Sequence, residues 1–115
     1  MKITRLENVT AAPMALEGAK DVLKQVPLGK ADGAPHYSFR VFTILPGGHT
    51  PYHDHPFEHM NYFIAGEGAL VLEGGEERPV RAGDFVLIHP GERHRYRNTA
   101  ASDLVMICAV PKEYE

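Results

Sequence analysis

Tryptophan is absent and cysteine occurs once, at Cys108, so no disulfide can close within the chain. Such cysteine usage suits a reducing compartment, and a cytoplasmic location is expected. No apolar run approaches the roughly 18 residues that a helical membrane span needs. The opening MKITRLENVT places Glu7 and polar residues where an export signal would carry its apolar stretch, so no such signal is read. A basic excess is missing too. Twelve Lys and Arg stand against fifteen Asp and Glu, a formal net charge of −3. That balance argues against a nucleic-acid or anionic-membrane surface. No long helical period and no internal repeat is visible. What remains is a 115-residue chain, 43% hydrophobic and 23% charged, of the size and composition of one globular domain spanning 1–115.

Eleven glycines and nine prolines in a non-repetitive chain point to many turns, hence many short strands. Residues 1–18, with Pro13 and Gly18, read as an irregular arm holding one short strand. Residues 19–28 (AKDVLKQVPL) are a helical turn or an edge strand, and Pro27 with the following glycine turn favours the strand. Residues 37–45 (YSFRVFTIL) are rich in aromatic and β-branched side chains and predict a strand, ended by Pro46-Gly47-Gly48. Residues 50–55 are short and extended. Further strands are predicted at 59–65, 69–73, 78–81, 85–89, 94–98 and 104–110, with Gly74-Gly75 as a tight hairpin. Eight to ten short strands joined in this way predict an all-β barrel, closed or built of two sheets.

Seven histidines are present, and they are not scattered. His49, His53, His55 and His59 fall within eleven residues, and His89 and His94 follow. Side chains alternate faces along a strand, so His53 and His55 point the same way. His59 opens the next strand, and His94 opens a distant one. Neutral imidazole is the commonest metal ligand. Two histidines on one strand, one on its neighbour and one farther along can surround one ion.

These spacings resemble the cupins. Their first motif is Gly, five residues, His-x-His, three or four residues, Glu, six residues, Gly. Here it spans 47–66 as Gly47, His53, His55, His59 and Gly66. The second motif is Gly, five residues, Pro-x-Gly, two residues, His, three residues, Asn. Here it spans 83–98 as Gly83, Gly91, His94 and Asn98. Two slots depart from the pattern: His59 stands for the glutamate, and His89 for the proline. The stretch His53-Asp54-His55-Pro56-Phe57-Glu58-His59 resembles the small four-histidine cupins, as does the ending Cys108-Ala109-Val110-Pro111-Lys112-Glu113.

The resemblance implies a single-domain jelly-roll β-barrel of two antiparallel sheets. It implies a divalent transition metal on His53, His55, His59 and His94, manganese first, with iron, zinc, nickel and copper as alternatives. Four neutral ligands would leave the full charge of the ion on the site. Glu58 is the rival third ligand if a one-residue bulge turns it inward, although strand parity favours His59. Cys108 reads as a small core residue or, by resemblance, as a residue facing the metal cavity. With Cys108 inward, Met106 and Val110 share its face. Arg40 shares a face with Phe42. It is either a surface arginine or a buried cation beside the metal, able to anchor a carboxylate or superoxide. Arg40 and Cys108 are thus the catalytic candidates, and Phe42, Phe63, Met106 and Val110 the pocket candidates.

No Asp or Glu is visibly placed as a general base. Redox chemistry needs none, so the expected function is a dioxygenase-type oxidoreductase acting on a small organic substrate. The alternatives are a non-catalytic metal- or ligand-binding cupin and, third, a sugar or sugar-phosphate isomerase or epimerase. A two-fold homodimer is expected from the barrel's size and the exposed edge that residues 19–28 could cover.

Overall fold

A computed structural model describes residues 1–115. Nine strands run in the order β1 (Ala12–Pro13), β2 (Lys20–Leu28), β3 (Tyr37–His49), β4 (His59–Ala65), β5 (Glu67–Leu72), β6 (Glu77–Arg81), β7 (Phe85–Ile88), β8 (His94–Arg97) and β9 (Leu104–Pro111). The only helical pieces are single 3-10 turns at Leu6–Asn8, Lys30–Asp32 and Lys112–Tyr114. No helix is long and apolar enough to cross a membrane.

The two-residue side-chain period decides which face is inside. Along β9, Leu104, Met106, Cys108 and Val110 are buried and the residues between them are half-buried. On β3, Ser38, Arg40, Phe42 and Ile44 are buried and face the same interior. The two strands pair antiparallel from Tyr37↔Pro111 to Ile44↔Leu104, which sets Arg40 directly opposite Cys108. Phe63, Leu70, Val80, Ile88 and Tyr96 complete the core from β4, β5, β6, β7 and β8.

Hydrogen bonding joins the strands in the order β6-β5-β8-β3-β9-β4-β7, with β2 also pairing β3 and β1 pairing β2. The two separate sheets expected from the sequence are therefore one curled sheet here, continuous through β3. The reason is that β3 does not stop at Pro46-Gly47-Gly48. Val22 pairs with Ile44 and Lys20 with His49, so residues 45–48 stand opposite Asp21 alone. This bulge is made by left-handed backbone at Gly47 (φ +80) and Asp21 (φ +51). Gly48 lies so close to β2 that a Cβ would come 2.6 Å from the Lys20 carbonyl oxygen. Beyond the bulge, His49 pairs with Arg97. Strand β3 thus carries the sheet from β9 to β8 and delivers the chain to the histidine segment.

Candidate metal centre

Residues 50–55 form no regular strand, yet they are laced to β8. The Thr50 amide donates to the Tyr96 carbonyl at 2.9 Å, and the Tyr96 amide donates back to Thr50 Oγ1 at 2.9 Å. His53 and His94 exchange backbone hydrogen bonds at 3.1 and 2.9 Å. The Gly91 amide closes the set on the His55 carbonyl at 2.8 Å. These bonds hold the paired histidines of the first motif against the single histidine of the second.

Three imidazoles converge as a result. His53, His55 and His94 each offer a ring nitrogen within 4.8 Å of the others. His53 Nε2 and His55 Nε2 lie 3.0 Å apart. Two nitrogens each about 2.1 Å from one ion, at right angles to each other, would be about 3 Å apart. His94 Nδ1 lies 2.8 Å from the Glu92 carbonyl oxygen. A carbonyl only accepts, so Nδ1 carries the proton and Nε2 keeps its lone pair, as a metal ligand requires.

His59 is not in that trio. It opens β4 opposite Ile88 of β7, and its ring stacks on His55 with centroids 3.8 Å apart and planes 21° from parallel. It is buried, and its Nε2 has no hydrogen-bond partner. An orphaned buried acceptor costs about 1–3 kcal/mol and is what an absent ligand would relieve. Glu58, its rival, is exposed and takes no part in the cavity wall.

All four histidines are held neutral. Burial is the first cause for each, and the other imidazoles and Arg40 add to it for all but His94. His55 is pushed down to about 4 and His59 to about 2. The folded pKa values lie below the unfolded value of 6.5, so between about pH 6.5 and 4 the unfolded chain binds protons that the folded chain refuses. Stability of the metal-free protein is therefore expected to fall as pH falls through that window. A thermal melt in chelator should give a clearly lower Tm at pH 5 than at pH 7. An unchanged Tm would mean that these rings are not held neutral.

The cavity measures about 290 Å³. Arg40, Phe42, Met106, Cys108, Thr50 and Tyr96 line it, together with the four histidines. Phe63 and Val110 do not. They are buried in the core outside its wall, Phe63 packing edge-on against Tyr96 with centroids 5.3 Å apart. Cys108 is both core and wall, and Arg40 points inward. Asn61, which shares parity with His59, accepts a hydrogen bond from the Tyr96 hydroxyl at 2.9 Å.

Part of the wall escapes sequence reading. Phe57 and Tyr114 stack over the cavity with centroids 3.8 Å apart, and Met14 and Leu16 of the arm complete it. Only the place of Phe57 between motif histidines hints at its position. His49 bonds the Thr50 carbonyl, and His36 and His89 are exposed. None of these three lines the cavity.

The Cupin domain family model matches residues 40–110. The chain is 30% identical to an L-ectoine synthase of Vibrio campbellii over 74 residues, 63% of this chain and 56% of that protein. It is 32% identical to an oxalate-binding protein of Thermotoga maritima over 81 residues, 67% of this chain and 66% of that one. A 3-hydroxyanthranilate 3,4-dioxygenase of Ruegeria pomeroyi is 44% identical over 52 residues, 43% of this chain and 29% of the enzyme. The chain thus spans between about a third and two thirds of the length of these curated relatives. Among solved structures, the polyketide cyclase RemF of Streptomyces resistomycificus superposes with a TM-score of 0.92 at 28% identity, covering 96% of this chain and 79% of that one. A family match over well more than half of the residues, carried by the barrel that brings both histidine motifs to one cavity, places this chain in the cupin family.

Proposed function

We propose that this chain is a metal-dependent cupin oxidoreductase of the dioxygenase type, acting on a small organic molecule. His53, His55 and His94 would hold a divalent transition metal, with His59 as fourth ligand through its unpartnered Nε2. Manganese is the first expectation, and iron, zinc, nickel and copper remain in range of a nitrogen ligand set. Such an ion, when bound, supplies Lewis acidity and, for manganese or iron, electron transfer.

The chain's own part is to keep the ligands neutral, to exclude water and to seat the substrate. Phe42, Phe57 and Met106 give the cavity an apolar wall. The observation that carries the redox reading is the lack of a buried carboxylate. Asp54 is the one acid on the wall, and it is exposed. Burial pushes the Tyr96 phenol up, so it stays protonated. Outside the four histidines, no buried group on the wall is placed as a general base for isomerisation or hydrolysis. Arg40 and Cys108 would orient what binds. The dioxygenase relative supports this reading, while the synthase and the cyclase are reminders that one fold hosts several chemistries.

A second reading is a non-catalytic ligand-binding cupin, favoured by the oxalate-binding relative. A sugar isomerase ranks third, because Arg40 is the only Lys or Arg on the cavity wall. The experiment that separates them is metal content by plasma mass spectrometry on protein purified without a histidine tag, followed by turnover screens with O₂ and peroxide. About one ion per chain is expected. Oxygen- or peroxide-dependent turnover supports the enzyme, and stoichiometric metal without turnover supports the binding protein. Failure to take up any transition metal, even on reconstitution, removes the enzyme and leaves a ligand-binding barrel that needs no metal.

The same reading includes a homodimer. Phe85 (82% exposed), Leu87, Met60 and Ile64 form an apolar outer face across β7 and β4, where Met60 pairs with Leu87 and Tyr62 with Phe85. A second copy of this chain is the proposed cover. A solution mass of one chain by light scattering would rule it out.

A further inference from the structure

Arg40 brings a positive charge into the cavity and meets no acid there. It is 9% exposed. Its Nη2 donates to Cys108 Sγ at 3.1 Å and its Nη1 to the Tyr114 carbonyl at 3.4 Å. Its Nε–H is buried without a partner. The protein's three ion pairs are Lys2–Asp32, Arg78–Glu76 and Arg97–Glu77, all elsewhere. Glu115, next to Tyr114, is already engaged, accepting from the Ser38 hydroxyl and the Lys30 amide.

A buried cation without a counter-charge is far more costly than a buried neutral donor. The Phe42 ring, its centroid 5.0 Å from the guanidinium carbon, offsets part of that cost by cation–π attraction but supplies no negative charge. The four histidines can supply no negative charge, and Asp54 is exposed to solvent. A second cavity beside Arg40 carries one further charge of each sign, Lys24 and Glu115, which offset each other and leave Arg40 unbalanced. A divalent ion on the histidines would add positive charge. The balance is missing one anion, and guanidinium is the side chain best suited to a planar carboxylate.

We propose that the cavity takes a small organic acid, its carboxylate on Arg40 and its hydrocarbon body against Phe42, Phe57 and Met106. This names the substrate class of the proposed site and rests on that reading for the metal, whereas the Arg40 contact needs no metal.

The test is titration calorimetry with salicylate and its uncharged analogue salicylamide. The proteins are wild type, Arg40→Gln and Arg40→Lys, each metal-free and manganese-loaded, with metal content measured on the same samples. Salicylate is expected to bind wild type in both states, and salicylamide roughly tenfold or more weakly. Arg40→Gln should lose roughly tenfold or more of the salicylate affinity and much less of that for salicylamide, and Arg40→Lys should keep part of the salicylate affinity. Equal binding of acid and amide, unchanged salicylate binding by Arg40→Gln, or no salicylate binding to wild type overturns the proposal. Salicylate binding by wild type that takes up no metal removes the metal reading and leaves this one. Should Arg40→Gln fail to fold, the acid–amide comparison on wild type decides.

Discussion

Alanine in place of His53, His55 or His94 is expected to strip the metal from the protein. Each change removes one of three converging nitrogens, two of them only 3.0 Å apart. Loss of an outer hydrogen-bond partner of a ligand costs roughly 10–100-fold in metal affinity, so loss of a ligand should cost more than about 100-fold. Metal content after dialysis against a weak chelator should fall from about one ion per chain to near none. His59 is the informative position, because its ring both stacks on His55 and presents an unpartnered Nε2. His59→Phe keeps an aromatic ring in the stack and removes the nitrogen. It should lose metal as His94→Ala does if four histidines bind, and retain it if three suffice. Glu58→Ala, at an exposed position, should leave metal content unchanged.

Gly66→Ala should be among the most damaging single substitutions outside the site. Gly66 has φ +83, and a Cβ there would run into the Asp103 carbonyl oxygen and approach the Leu104 Cα at 2.9 Å. Both obstacles are backbone and cannot rotate away. Gly74 is the control, since it has φ +89 with nothing within 4 Å of a built Cβ. Gly74→Ala should cost about 1–2 kcal/mol from left-handed strain alone. Gly66→Ala adds a steric cost and should exceed about 4 kcal/mol, the range reserved for severe backbone or core damage. A thermal melt should show a Tm more than about 10 °C below that of Gly74→Ala. Similar Tm values for the two variants would mean that the β4–β5 junction can move away from Asp103.

Much of this arrangement is legible in the sequence, for local reasons. Strand β4 is legible at 59–65 because HMNYFIA is a short, largely apolar and aromatic run bounded by Pro56 and Gly66. Parity groups Met106, Cys108 and Val110 on one face of β9, and Arg40 with Phe42 on one face of β3, while the fold decides that both faces point inward. What is not legible depends on partners distant in sequence. Pro46-Gly47-Gly48 carries every local sign of a strand end, and the strand continues because Asp21 and Lys20 accept the bulge. Parity places His59 on the cavity side but cannot tell a ring that joins the trio from one that stacks behind it. Phe63 and Val110 have the right parity and still miss the cavity, because depth along the barrel is a tertiary quantity. Tyr114 and Leu16 reach the cavity from segments with no periodicity to read.

The place of β9 has a kinetic consequence. It is the last of nine strands in chain order, yet it sits between β3 and β4 in the middle of the sheet. Tyr37 must find Pro111, and Met60 must find Ala109, so the pairings that complete the sheet are among the most distant in sequence. Contacts of such separation put folding in the slow range of milliseconds to seconds. During synthesis, β3 and β4 emerge with facing edges unpaired and their apolar faces uncovered. The fold therefore closes in one late step, and a chain interrupted before residue 104 would present two open edges that invite pairing between molecules.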